Sequence, residues 1–319
     1  MTFCSIIRRI PRFFYSISAR WAINKQIENR SLSMPNMIKT SPTAELMAYF
    51  RGHSDIPWAR DIADASGSEH VARNMLKDRF SEAGFLAVVA EGRFKKCNAY
   101  ARKFKSVVEI AAGLSPRGLI LTEDPHLTYV STDLPEMLGK ARVITDRLLE
   151  QRQLKRPNLK WIGFDALTSD ESAVNQVLES LPITPLAVIS EGFMMYLDIE
   201  EKKAFLRNIH RMLKERGGAL ITTDVLHFDR ERKNRNHVLQ AIADATGRDM
   251  RTLNNMTRRE ASEFFMQAGF YSEILNPAIK ISSLSSLRLT SDPLSLEVAS
   301  LPVWVLTPCV PTSPNVRVN

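Results

Sequence analysis

Cysteine is scarce in this chain. Only Cys4, Cys97 and Cys309 occur, far apart and with no C-x-x-C pair. That spacing argues against a disulfide framework and a structural zinc site, and makes a reducing compartment the default. The six histidines are scattered without metal-ligand spacing, so no metal is expected. No apolar run approaches the roughly 18 residues that a membrane-spanning helix needs. Acids are nearly absent from residues 1–33, which hold Arg8, Arg9, Arg12, Arg20, Lys25 and Arg30 against Glu28 alone. More than half of the net charge of +8 sits in that stretch, so the basic balance is weak support for nucleic-acid binding. Residues 1–40 are expected to form a basic extension, disordered or helical. It lacks the apolar core of a secretory signal; an organelle presequence or an interfacial helix is the alternative to a plain extension. The cytoplasm is the expected location. The tail 309–319, with Pro311 and Pro314, is expected to be disordered.

What remains is rich enough to bury a core. Of 319 residues, 44% are apolar and 24% charged, which suits one large domain with additions, or two domains. The organising stretch is 106–118. Ser106 to Ile110 is a short apolar run, and Ala111-Ala112-Gly113 is a small-residue turn. Gly113 has no Cβ and tolerates positive φ, so a ligand can approach the backbone there. Ser115 reads as an N-cap and Pro116 as a first helical residue. Strand, small loop and helix start together form the geometry that cradles nucleotide-like ligands in open α/β sheets.

From 106 onward strands and helices alternate. The strand candidates are 106–111, 127–133, 158–164, 185–190, 218–225 and 301–307. The helix candidates are 115–123, 135–154, 171–180, 198–216 and 257–268, with Asp198 capping one and Gly217 ending it. Such alternation predicts a mostly parallel sheet with helices on both faces. Residues 41–105 read as helical, either a lid across the carboxyl edge of the sheet or a plain helical cap. The Arg-rich stretch 227–256 interrupts the alternation after the fifth strand and includes a short apolar helix at 238–245. It is either a substrate-side insertion or a solvated excursion.

Four acids fall near the ends of successive strands: Glu109, Asp133, Asp165 and Glu191. The carboxyl ends of parallel strands face one crevice. A row of carboxylates there suits a ligand that offers an amine, a ribose diol and an adenine amino group as donors.

Three blocks, Val107 to Gly118, Thr132 to Leu138 and Ser190 to Leu197, resemble the signature blocks of the leucine carboxyl methyltransferase family, and most of all its bacterial, polyketide-type O-methyltransferase branch. The resemblance covers roughly residues 40–310. It implies a Rossmann-like, class I S-adenosylmethionine-dependent methyltransferase domain over 106–308. Its sheet would have seven strands with the last antiparallel, pairing 301–307 with 270–275 or 218–225. It further implies that Gly113 approaches the methionine part of the cofactor, that Asp133 with Leu134 takes the ribose, that Asp165 and Ala166 flank the adenine, and that Glu109 and Glu191 complete the acidic rim, Glu191 under the amine. The family's carboxylate-binding arginine would be Arg102, with Arg93 and Lys96 as competitors. The chain departs from methyltransferases at Ala111, where glycine is usual.

The expected activity is O-methylation of a small-molecule carboxyl or hydroxyl group by in-line attack on the sulfonium methyl. A carboxylate acceptor is ionised and needs a donor such as Tyr196; a hydroxyl needs a base, for which His227 is the candidate. Tyr196 reads equally as a packed aromatic and His227 as a loop residue. A nicotinamide-dependent oxidoreductase is a rival, but no tyrosine here is followed four positions later by lysine. A methyltransferase acting on RNA or protein is another rival, and the chain shows no aromatic-basic platform for bases.

Overall fold

The computed structural model describes residues 41–225, 236–253, 256–275, 280–290 and 302–309. The extension 1–40, His227 with its neighbours 226–235, and the tail beyond Cys309 lie outside the described residues.

The chain begins with helices α1 (Ser41–Arg51), α2 (Ala59–Ser66), α3 (Ser68–Leu76) and α4 (Phe85–Ala101). Strands and helices then alternate: β1 (Ser106–Ile110), α5 (Arg117–Leu121), β2 (Thr128–Asp133), α6 (Pro135–Gln151), β3 (Leu159–Gly163), α7 (Glu171–Glu179), β4 (Leu186–Ser190), α8 (Ile199–Arg216) and β5 (Gly218–Thr222). After β5 come α9 (Asn236–Thr246), α10 (Met250–Leu253), α11 (Arg258–Gln267), β6 (Phe270–Leu275) and β7 (Val303–Pro308). The strands form one seven-stranded sheet in the order β3-β2-β1-β4-β5-β7-β6. The first five are parallel, and β7 runs antiparallel between β5 and β6, so it pairs with both of its expected partners.

Side chains alternate across this sheet. Val107, Tyr129, Ala187, Ile189 and Ile221 pack on one face with Cys97 and Ala101 of α4 and Leu121 of α5. Trp304 meets Phe265 of α11 on the other face, and Phe270 meets His210 of α8. Central strands β1 and β4 are buried along their whole length, as a sheet covered on both faces requires. The predicted α8 stands with a full capping box. The Asp198 carboxylate accepts from the Glu201 N–H at 2.9 Å, and Glu201 accepts from the Asp198 N–H at 2.9 Å.

Two local expectations shift. The helix after β1 starts at Arg117, not Pro116, and Ser115 Oγ accepts the Arg117 N–H at 3.3 Å. Of the segment 41–105, α4 is a face helix of the sheet, while α1 is the part that reaches the carboxyl edge.

Candidate functional site

The β1 turn is tight. Ala111 has φ +51° and Gly113 has φ +54°. The Ala112 N–H bonds Thr132 O at 2.9 Å, and the Gly113 N–H bonds Asp133 Oδ2 at 2.7 Å. Asp133 Oδ1 accepts from the Leu134 N–H at 2.8 Å. Asp133, the last residue of β2, is thus oriented by two backbone donors and remains half-buried. Burial pushes its carboxyl above the usual aspartate range, against those two bonds. Each oxygen keeps further acceptor capacity.

The other rim acids follow the spatial order of the strands. Asp165 lies just past β3, exposed, its carboxylate accepting from the Leu167 N–H at 2.9 Å. Ala166 beside it is buried, and its carbonyl accepts from Asn208 at 3.0 Å. Glu109 sits in β1 and is buried. Its two oxygens are taken by Arg117 and by the Tyr129 hydroxyl, so it holds the rim together from below. Glu191 follows β4 directly and bonds Arg117 Nη2 at 2.5 Å and Arg51 Nη2 at 3.5 Å. Burial pushes the Glu191 carboxyl up, but Arg117, Arg51 and Arg93 together outweigh it and hold it below the usual range. The rim is therefore open at Asp165 and closed at Glu191.

Three arginines, none of them Arg102, build the closed end. Arg117 is fully buried, lies over the Phe94 ring at 4.5 Å, and donates to Asn98 Oδ1 at 2.8 Å as well as to both glutamates. Arg93 donates to Thr223 Oγ1 at 2.7 Å and pairs with Asp224. Asp224, fully buried after β5, also accepts the N–H groups of Gly192 (2.7 Å), Phe193 (2.9 Å) and Met194 (2.9 Å), which shapes the loop carrying Glu191. Arg51 ends α1. Its Nε is buried without a hydrogen-bond partner among the described residues, as is Ser190 Oγ next to Glu191. Buried orphan donors are rare because each costs desolvation energy without return.

The expectation for Arg102 is corrected. It is exposed and follows α4 at the amino end of β1, the edge opposite the rim. Lys96 is buried in α4, and burial lowers its ammonium. Tyr196 is a packed aromatic. It is buried among Leu46, Phe50, Val238, Ile242 and Met250, bonds Thr43, and its hydroxyl is pushed up to about 12 by burial. His227 lies outside the described residues. At Gly113 a Cβ would stand 3.0 Å from the Ala44 side chain. The missing side chain seats α1 on the loop. Helix α1 is further tied to the rim by Glu45–Lys140 and by Arg51–Glu191.

The arginine lattice was not legible from spacing. Arg117 lies inside the block 107–118, yet nothing sets it apart from a surface arginine. Arg51 and Glu191 are 140 positions apart, and only folding joins them. Asp224 had a signal, since it continues the row of strand-end acids to β5. Among the described residues no group of three or more His, Cys, Asp or Glu side chains could hold a metal ion. Among them, too, no helix is long and apolar enough to cross a membrane.

No family model matches the chain, and no curated protein matches it. Solved structures do. The mitomycin 7-O-methyltransferase MmcR is 14% identical, with 79% of this chain and 68% of that chain covered at a TM-score of 0.44. An O-methyltransferase family protein from Burkholderia thailandensis is 14% identical over 76% of this chain and 63% of that one, at 0.44. LaPhzM is 18% identical over 77% and 60%, at 0.45. The chain spans less than two thirds of several of its matches, including 42% of a LepI chain in complex with SAH and a substrate analogue. None of these likenesses reaches a TM-score of 0.5, and the functional reading rests on the site's own residues.

Proposed function

We propose that this chain is an S-adenosylmethionine-dependent methyltransferase that O-methylates a small molecule at a carboxyl or hydroxyl group. We place it beside the leucine carboxyl methyltransferases, in the cytoplasm. The observation that carries this reading is the graded rim. An exposed acid after β3, a half-buried, backbone-oriented acid at β2, and, across β1, an acid–arginine pair with an orphan Nε after β4 follow the order of the parallel strands. An adenosyl amino acid offers matching groups in the same order: adenine, ribose diol, then a zwitterion.

Asp133 would accept from the ribose hydroxyls, with Gly113 and Leu134 fixing its carboxylate. Asp165 and Ala166 would flank the adenine at the open end. Arg51 replaces Arg102 as the carboxylate partner, because its guanidinium meets Glu191 through Nη2 and keeps an unsatisfied Nε. Glu191 would face the amine, and Arg117 keeps it ionised. When bound, the cofactor supplies an activated methyl group. The protein's own work is alignment and exclusion of water, with α1 seated over the loop. The test is a thermal-shift comparison. S-adenosylmethionine should raise the melting temperature and a nicotinamide dinucleotide should not; the reverse result sinks the reading.

A further inference from the structure

Glu91 has no part in the site just described, yet its side chain is wholly buried in α4. One carboxylate oxygen accepts from Lys95 Nζ (2.6 Å), the Ser285 N–H (2.9 Å) and Ser285 Oγ (3.1 Å). The other accepts from the Ser286 N–H (2.8 Å) and Ser286 Oγ (2.5 Å). Burial pushes this carboxyl up, but the bonds from Lys95, Ser286 and Ser285 outweigh it and hold it at about 2. A buried carboxylate so fully satisfied is a fixed point in the structure.

The serine donors belong to the turn Ser285–Leu289, in the connection between β6 and β7. The same turn reaches the end of α1. Ser285 Oγ accepts the Asp55 N–H at 2.8 Å, and Arg288 Nη2 donates to His53 O at 3.1 Å. Lys95 closes the ring on Asp55 Oδ1 at 2.6 Å. Leu284 and Leu287 pack on Val88 beneath the turn, and a Cβ at Gly84 would collide with the Leu289 carbonyl. Residues 53–55 follow Arg51 after a single glycine, Gly52, and the Arg51 carbonyl accepts from Ser54 Oγ (2.6 Å) and the Ser54 N–H (3.0 Å). The backbone that carries Arg51 is thus gripped within four residues of the guanidinium. The pair with Glu191, at 3.5 Å, is too long to place that guanidinium unaided.

We propose that Glu91 is a positioning residue for the cofactor site: through the Ser285–Arg288 turn it fixes residues 53–55, and so sets where Arg51 meets the cofactor carboxylate. The proposal rests on the S-adenosylmethionine reading. Glu91→Gln removes the charge that gathers the turn, and the placement of Arg51 loosens with it.

The test uses the full chain and calorimetry with two ligands, S-adenosylhomocysteine and 5′-methylthioadenosine. The second keeps the nucleoside and sulfur but has no amino acid. Glu91→Gln should weaken S-adenosylhomocysteine binding about tenfold and leave 5′-methylthioadenosine unchanged. In an Arg51→Met background the same change should have no further effect, as coupled sites require. Arg288→Ala, an exposed change that keeps the Glu91 cluster, should show a smaller loss with the same selectivity, and decides the matter if Glu91→Gln does not fold. Equal loss for both ligands, no loss for S-adenosylhomocysteine, or a loss that persists without Arg51 overturns the proposal. A wild-type chain that binds no S-adenosylhomocysteine overturns the methyl-donor reading itself, and this proposal with it, before any variant is compared.

Discussion

Ala111 and Gly113 both hold positive φ, at +51° and +54°, and only one of them is glycine. A left-handed alanine costs roughly 1–2 kcal/mol, partly offset by the smaller entropy that alanine loses on folding. Ala111→Gly should therefore leave stability equal or raise it by up to about 1 kcal/mol in urea melts. Gly113→Ala should cost about 1–2 kcal/mol, because it adds the strained conformation and presses on Ala44 at 3.0 Å. The reverse ranking would contradict the turn geometry. Arg117 is a harder test. Arg117→Met leaves Glu109 buried without its cation and Glu191 with only the longer Arg51 contact, and should cost about 3–5 kcal/mol. At Asp133 burial raises the carboxyl. The ionised form that a ribose diol needs is lost as pH falls through that raised value. S-adenosylhomocysteine affinity should therefore drop at a pH above the ordinary aspartate range, and Asp133→Asn should abolish that dependence. A pH-independent affinity in the wild type would count against Asp133 as the diol partner.

At the scale of elements, the segment after β5 is pinned to the first turn of α8. Arg248 donates to both Glu201 oxygens at 2.8 Å, and Lys202 Nζ donates to Leu253 O at 2.6 Å. Burial lowers Lys202 from the ordinary 10.5 to about 8. Below about 8 the folded and unfolded chains both hold the proton, and the burial cost is present in full. Between there and the unfolded value, only the unfolded chain holds the proton, so stability rises with pH. Urea melts should show the wild type gaining on Lys202→Met between pH 7 and pH 10; parallel curves would refute it. Strands β1, β4 and β5 were readable as short, mainly apolar runs, β2 and β3 from their place in the strand–helix alternation, and α8 because its stripe, its Asp198 cap and Gly217 coincide. Strand β6 had no such run. Phe-Tyr-Ser-Glu-Ile-Leu is half-exposed at a sheet edge, and it entered only as a partner for 301–307. Helix α1 was legible as a helix, while its seat on Gly113 depends on a contact 69 positions away.

At the scale of the whole molecule, one sheet order explains the site. The arrangement β3-β2-β1-β4-β5 sets Asp165, Asp133, Glu109, Glu191 and Asp224 along a single edge, and α1 lies over its middle. Four of those acids could be read from strand ends alone. Their division of labour could not, because it is decided by which ones meet Arg51, Arg93 and Arg117. Glu109 and Asp224 are buried and brace the rim, whereas Asp133 and Glu191 are half-buried and Asp165 is exposed. The most direct measurement of this account is a calorimetric titration of S-adenosylhomocysteine into the wild-type chain and into Asp133→Ala. We expect saturable one-site binding in the first and a loss of at least about tenfold in the second. Equal affinities, or no binding by the wild type, would contradict it.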